Sequence, residues 1–330
     1  MDKFKTPADI MELANRFRAS RVFLTAFELG VFTVLGNEGK TSAETASILK
    51  TNPRATDRLM NALTVIGTIE KKNGTFYNTP AVTKFLVKGK AGYMGGLGHT
   101  VNLWDSWTNM TEAVIKGSAP ERRKPVNDRG ENWVDSFIAA MHMRAKEQAP
   151  VIISQLDLKG VSKVLDVGGG PGTFSFAFAD AKEGLKATVF DLPNVVPLTH
   201  KYIEQEGYSG KVDTLEGNYL ENDIGSGYDI TFLSAVIHSN SPDDIKLLFS
   251  KCNKALNKNG QIVVLDYIMN DDRTRPEMGA MFALNMLVNT DAGDAYSEAE
   301  VRNWLEEAGF SSIKKVSTEF GTDLMIGRKS

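Results

Sequence analysis

The chain has 330 residues, of which 42% are hydrophobic and 24% charged, with a formal net charge of −3. That length allows two domains with ample core, and the composition is that of a soluble globular protein rather than a disordered one. The slight negative charge, with no local block of basic residues, leaves no electrostatic footprint for nucleic acid, and the single cysteine, Cys252, excludes an intrachain disulfide framework and a multi-cysteine metal site.

The N-terminal third reads as helices followed by one hairpin. A charged start, Met1-Asp2-Lys3-Phe4-Lys5, leads into an amphipathic helix, and no apolar segment has signal-peptide or membrane-span character, so the expected location is cytoplasmic. Ile10, Leu13, Ala14 and Phe17 recur at helical spacing, as do Val22, Ala26, Leu29 and Phe32. Val22, Leu24, Phe27 and Val31 surround most of the circumference of that second helix, more apolar surface than one small domain buries, which predicts a homodimer through this region. Ser42 is placed to cap a helix from Ala43 to Lys50, and Asn52-Pro53 opens another with Leu59, Leu63 and Ile66 on one face. Ile69 to Tyr77 reads as a hairpin around Asn73-Gly74, a pair suited to a two-residue turn. Helices followed by a wing predict a mainly α winged-helix domain over residues 1–98. The helix that would enter a DNA groove, 53–67, offers only Arg54 and Arg58 as cations, so dimerisation or a substrate cap suits the domain better than DNA binding.

Gly89 to Gly98 carries five glycines and reads as a flexible connection. Residues 99–150 then form a helical bridge with Trp104, Trp107, Trp133, Phe137, Met141, His142 and Met143, interrupted by an expected surface loop from Ser118 to Glu131. The third domain is expected over 151–330, where strands alternate with helices from residue 161 onward. Strands are expected near 163–167, 187–191, 211–216, 228–236 and 261–268, followed by a pair, 313–320 and 322–328, separated only by Gly321 and therefore antiparallel.

The first of these strands ends in Asp166-Val167-Gly168-Gly169-Gly170-Pro171-Gly172 and opens a helix from Thr173 to Lys182. Glycines strip Cβ atoms from the turn, so a ligand can lie against bare backbone and face the free N–H groups of a helix start. The second strand ends in Asp191, nineteen residues after Gly172, where a carboxylate can accept from both hydroxyls of a ribose. The spacing departs from the dinucleotide fingerprint, because its third glycine would have to fall at Thr173. The acid-x-Gly-x-Gly-x-Gly pattern instead resembles motif I of the S-adenosylmethionine (SAM) methyltransferases, whose cofactor has an amino-acid tail and no phosphate. A mostly parallel sheet with an antiparallel last strand, the Rossmann-like α/β sheet of those enzymes, is the fold class expected.

The fourth strand delivers His238 to the sheet edge where α/β proteins bind ligands. Imidazole is the side chain whose ordinary titration range lies nearest neutrality, so it can take a proton from a substrate hydroxyl. Across nearly its whole length the chain resembles the small-molecule O-methyltransferases that include caffeic acid and acetylserotonin O-methyltransferases. The resemblance is carried by the 166–172 turn, Phe190-Asp191-Leu192-Pro193, Gly217-Asn218-Tyr219, Ala235-Val236-Ile237-His238 and Glu306-Glu307-Ala308-Gly309-Phe310. It implies transfer of a methyl group from SAM to the hydroxyl of a small, flat, apolar or aromatic acceptor, with a homodimer formed by the N-terminal domain. It implies His238 as base with Asp266 beside it, and a cofactor site from Asp166, Gly168, Gly170, Asp191, Leu192, Asn218, Tyr219, Ser234 and Met141. A substrate lining of Trp104, Phe137, His142, Phe282, Asn285, Met286 and Asn289 is expected from the bridge and from a helix over 276–290.

The departures are informative. The family's His-Asp-Trp is here His238-Ser239-Asn240, its Gly-Asp is Gly217-Asn218, and its two flanking Glu positions match Asp266 and Ala295. These changes keep open an N-, S- or C-methyltransferase, or a non-methylating SAM-binding relative, on the same scaffold. A SAM-sensing winged-helix regulator is a third class, which the few cations on 53–67 disfavour. No metal is expected, since His99, His142, His200 and His238 lack ligand spacing.

Overall fold

The computed structural model describes residues 4–119 and 131–330, and the chain divides into two compact units, Met1–Leu103 and Trp104–Ser330. Residues 120–130, most of the expected surface loop, lie outside the described residues.

The first unit begins with helices α1 (Pro7–Asn15), α2 (Phe17–Leu29) and α3 (Val31–Leu35), the short strand β1 (Lys40–Thr41), and helices α4 (Ser42–Leu49) and α5 (Pro53–Val65). The hairpin β2 (Ile69–Lys72) and β3 (Thr75–Asn78) follows, then α6 (Pro80–Leu86). Gly30 in the left-handed region (φ 79°) ends α2, so Val22 to Val31 is not one helix; Val31 opens α3 and is buried, as is Leu24. On α1 and α2 the exposed apolar side chains are instead Ile10, Met11 and Leu13 on α1 with Phe17 and Leu29 on α2. Thr41, not Ser42, caps α4: its hydroxyl accepts from Glu44 N at 3.2 Å while the Glu44 carboxylate accepts from Thr41 N at 2.8 Å. Thr41 ends β1 in extended conformation, so the helix starts straight from the strand and the cap falls one residue early. Asn52 caps α5 as expected, but the buried face is Thr56, Met60 and Leu63; Ile66 lies past the last turn and is exposed. Asn73 and Gly74 both have positive φ (49° and 83°), which matches the turn to the twist of the hairpin. The three antiparallel strands order as β1-β3-β2 beside a core of Phe32, Leu35, Met60, Leu63, Ile69 and Phe76.

Helix α7 (Leu97–Thr108) crosses the boundary between the units, and α8 (Met110–Lys116) and α9 (Glu131–Ser154) follow. The rest alternates: β4 (Lys163–Val167), α10 (Thr173–Ala181), β5 (Lys186–Asp191), α11 (Val196–Glu206), β6 (Val212–Glu216), β7 (Tyr228–Ser234), α12 (Pro242–Ala255) and β8 (Leu256–Asp266). Then come α13 (Glu277–Asn289), α14 (Glu298–Glu307), β9 (Phe310–Ser317) and β10 (Asp323–Lys329). The sheet runs β6-β5-β4-β7-β8-β10-β9, parallel from β6 to β8, with β10 antiparallel to both neighbours. Several boundaries differ from expectation: β7 ends at Ser234 rather than at 236, and β9 begins at Phe310 rather than at 313. Residues 318–322, rather than Gly321 alone, join the last strands, closed by the Thr318 hydroxyl on the Thr322 carbonyl at 2.6 Å. β8 starts at Leu256, across an irregularity in its pairing with β7 between Tyr228 and Ile230.

Alternation along the strands divides the core between the two faces. Val164, Phe232 and Val263 pack with Phe174 and Phe178, while Leu165, Val167, Leu233 and Val264 pack with Phe249. Chain order reverses at β4, between β5 and β7, which makes the strand ends there the natural ligand crevice. Among the described residues no helix is long and apolar enough to cross a membrane.

Phe232 centres one face, with ring centroids 5.0 Å from Phe174 and 5.3 Å from Phe178. Phe232→Ala is expected to cost about 3–5 kcal/mol through lost burial and a residual cavity. Urea unfolding followed by fluorescence checks this, and an unchanged midpoint would rule the ring out as a packing centre.

Candidate functional site

A cavity of about 320 Å³ is lined by the segments that follow β4 to β8 and by one face of α9. The turn after β4 is its floor. Gly168, Gly170 and Gly172 all have positive φ (68°, 53° and 77°), a region that suits glycine. At Gly169 the reason is space: a Cβ there would stand 2.6 Å from Cγ of Asp166, whose side chain folds over the turn. At Gly168 a Cβ would stand 2.9 Å from Cγ2 of Val236, so this turn and the segment after β7 interlock.

Two carboxylates serve the cavity from below. Asp166 is 1% exposed; Ser175 Oγ donates to its Oδ2 at 2.8 Å, and its Oδ1 is buried without a hydrogen-bond partner. Burial pushes its carboxyl up to about 7; the Ser175 bond opposes the shift and the nearby Asp191 adds to it. Asp191 accepts from Gly170 N and Leu192 N, both at 2.7 Å. Burial raises it to about 6 despite those two bonds. An orphaned acceptor, a second carboxylate and bare glycine backbone fit SAM, which brings an ammonium group, ribose hydroxyls and no phosphate. Asn218, Tyr219 and Leu220 continue the wall; Lys251 Nζ holds that loop by donating to the carbonyls of Tyr219 (2.8 Å), Leu220 (3.0 Å) and Asn222 (2.8 Å).

His238 lines the opposite side. It stands four residues beyond β7 in a single 3₁₀ turn, Ile237–Ser239, rather than on the strand itself. Ala235, a non-glycine residue at φ 57°, bends the chain there. His238 Nδ1 is 2.9 Å from each carboxylate oxygen of Asp266, the last residue of β8. Asp266 is 3% exposed, so it is an internal partner and not a solvated edge group. A carboxylate accepts only, so a neutral imidazole here carries its proton on Nδ1 and keeps the lone pair of Nε2. Phe282 packs edge-on against the ring at 4.7 Å, and the buried Ala295 brings no second carboxylate.

All the cofactor residues named from sequence line this cavity: Asp166, Gly168, Gly170, Asp191, Leu192, Asn218, Tyr219, Ser234 and Met141. Of the expected substrate residues, Phe137 lines it as well. Phe282 reaches it through His238 and Tyr267. Asn285 accepts from Trp107 Nε1 at 2.9 Å and from Asn289 Nδ2 at 3.0 Å, a polar belt on α13, and Met286 is buried. His142 faces elsewhere: its Nδ1 is 2.9 Å from Thr173 Oγ1, its ring lies against Tyr202, and burial holds it below the usual imidazole range. Sequence reasoning missed Arg144, Gln148 and Tyr267, which also line the cavity. Phe137, Met141, Arg144 and Gln148 fall three or four residues apart on α9, so the helical stripe that named the first two already contained the others. The Arg144 guanidinium lies 5.5 Å from the centroid of the Tyr267 ring. No cluster of His, Cys, Asp or Glu suited to a metal occurs among the described residues.

A family model described as O-methyltransferase domain matches residues 125–311, and one described as O-methyltransferase dimerisation domain matches residues 11–89. The chain is 30% identical to 3-hydroxy-5-methyl-1-naphthoate 3-O-methyltransferase of Streptomyces sahachiroi, over 94% of this chain and 91% of the relative. It is 27% identical to the tetracenomycin polyketide synthesis 8-O-methyl transferase TcmO of Streptomyces glaucescens, over 98% and 97%. The solved structure of PigF with SAH superposes with a TM-score of 0.90 at 24% identity, covering 98% of this chain and 100% of that one. Fold, cofactor-type cavity and both family matches agree: the chain belongs to the SAM-dependent O-methyltransferases with an N-terminal dimerisation domain.

Proposed function

We propose that the enzyme methylates a hydroxyl of a small, flat, apolar or aromatic acceptor, with His238 as general base and Asp266 as its orienting partner. The observation that carries the reading is the buried His238–Asp266 pair on the wall of the cavity that fits SAM. When bound, SAM supplies an electrophilic methyl group. Asp166 Oδ1 would accept from its ammonium group, Asp191 would accept from its ribose hydroxyls, and residues 218–220 would form the wall for the base. Arg144, the Lys or Arg side chain lining the cavity among the described residues, would offset negative charge there. His238 Nε2 takes the hydroxyl proton, and Asp266, fixing Nδ1–H, stabilises the imidazolium that results. With Ala295 in place of a second carboxylate, a single acid orients the ring, so the rate is expected to lean on the acidity of the acceptor. The aromatic acceptor is supported by Phe137, Phe282 and Tyr267 and by the naphthoate and polyketide in the names of the two relatives.

His238→Ala is expected to lower turnover by about 10²–10⁴-fold while SAM affinity stays near wild type, and His238→Gln is not expected to restore it. Product mass shifts across phenols, alcohols, amines and thiols check this. Near-wild-type rates in His238→Ala would end the base assignment, and methylation of amines or thiols alone would move the enzyme to another transfer class.

Both cradle acids accept from the cofactor most strongly when ionised, and both have pKa values raised by burial, to about 7 and about 6. Binding therefore expels protons as pH falls from 7 to 5, and SAM affinity is expected to drop by about tenfold or more over that range. Calorimetry in buffers of different ionisation enthalpy should register the release, with less of it in Asp166→Asn. Affinity independent of pH would remove these acids from the cofactor contact.

The exposed Ile10, Met11, Leu13, Phe17 and Leu29 supply an apolar surface for a homodimer of the kind the dimerisation domain implies. Light scattering is expected to give the dimer mass at micromolar concentration, and Leu13→Asp with Phe17→Asp to lower it. A monomeric wild type would refute the assignment.

A further inference from the structure

The turn that carries His238 is held from three directions. Asp266 holds the imidazole. The segment before α14 holds the backbone: Asp294 N donates to the His238 carbonyl at 3.0 Å, and the Tyr296 hydroxyl donates to the Asn240 carbonyl at 2.6 Å. Gly293 packs so closely that a Cβ would stand 2.3 Å from the His238 carbonyl oxygen.

The third hold is Asn240, 5% exposed, at the position where the family has a tryptophan. Its Nδ2 donates to the Val236 carbonyl at 2.7 Å and to the Tyr219 hydroxyl at 3.0 Å. The Tyr219 hydroxyl lies 3.3 Å from Asn240 Oδ1, to which it donates. Val236 carbonyl also accepts from Ser239 N at 3.2 Å, the bond that closes the turn around His238. A buried primary amide is costly unless its donors and acceptor are met, and here Tyr219 meets one of each. Tyr219 lines the cavity on the wall after β6, and its backbone is tied down by Lys251. Of the three holds, this one alone joins the base turn to that separate wall.

We propose that Asn240, acting through the hydroxyl of Tyr219, is a positioning residue that makes the aim of His238 depend on how the cofactor wall is packed. The proposal rests on the reading of His238 as the base. A ligand against the Tyr219 ring fixes the ring, the hydroxyl fixes the amide, and the amide fixes the carbonyl that closes the turn. A small error in imidazole placement costs rate without costing cofactor affinity.

Tyr219→Phe removes one oxygen and keeps the ring, so it is the deciding variant; Asn240→Leu removes the amide at similar volume. For Tyr219→Phe the affinity for S-adenosylhomocysteine, measured by calorimetry, is expected to change less than about threefold, while kcat falls about tenfold or more. The loss is expected to be steeper for weakly acidic phenols than for strongly acidic ones, which a general loss of structure would not produce. In a His238→Ala background, adding Tyr219→Phe is expected to cost nothing further, because the two act through one group. Wild-type kcat in Tyr219→Phe, an equal loss on every phenol, or a full multiplicative loss on top of His238→Ala overturns the proposal. Wild-type turnover in His238→Ala overturns the base reading and this proposal with it; loss in His238→Ala beside full turnover in Tyr219→Phe overturns this proposal alone.

Discussion

Two carboxylates held under a glycine turn set the terms for the rest of this site. Burial penalises charge on both Asp166 and Asp191, and Asp191 lies close enough to Asp166 to add to the cost of ionising it. For an acid whose folded-state pKa lies above its unfolded value, the contribution to stability is present at low pH and is lost as pH rises through the folded value. Above about 7 the free protein therefore holds both acids at a disadvantage. On the proposed reading, a cofactor that brings an ammonium group and hydroxyl donors would relieve that disadvantage, and part of its binding energy would be stored in the fold before it arrives. Gly169 follows from the same demand: the Asp166 side chain occupies the volume where a Cβ at 169 would be.

The parallel sheet makes a third carboxylate available without extra machinery. Asp191, Asp266 and the 235–239 segment all leave the sheet at the same edge because β4, β5, β7 and β8 run the same way. The acid that ends β8 meets the imidazole that follows β7, its neighbour in the sheet, at 2.9 Å. Asp266 differs from the cradle acids in facing an imidazole: it accepts from His238 Nδ1 at 2.9 Å as well as from Tyr267 N at 2.8 Å.

The sequence revealed features whose cause is local. The glycine turn, the acid at 191, the Asn73-Gly74 hairpin and the alternation of apolar strands with helices all depend on a few neighbouring residues, and the fold class followed from them. Features decided by distant contacts were not legible. Ser42 was expected as a cap because it precedes the helix, yet β1 runs into α4 and the reciprocal Thr41–Glu44 bonds win. His142 carries the same chemistry as His238 and sits one residue from Met141, but the turn of α9 directs it toward Thr173 and Tyr202. Arg144 and Gln148 share a stripe with Phe137 and Met141, but a helical stripe alone does not separate a cavity-lining polar residue from a solvated one. Asn240 read as the loss of a tryptophan; only the three-dimensional pairing with Tyr219, twenty-one positions away, gives it a role of its own.

The contact between Gly168 and Val236 carries a lesson for redesign. With 2.9 Å between the site of the missing Cβ and the valine methyl, the glycine loop after β4 and the loop that carries His238 are fitted to each other as two halves of one joint. A larger residue at 168 would push on 236, and through it on the carbonyl that closes the turn around the imidazole. The strand ends are therefore poor ground for altering what the enzyme accepts. The side chains that α9 turns to the cavity, Phe137, Met141, Arg144 and Gln148, stand outside that joint and can be exchanged while it stays closed.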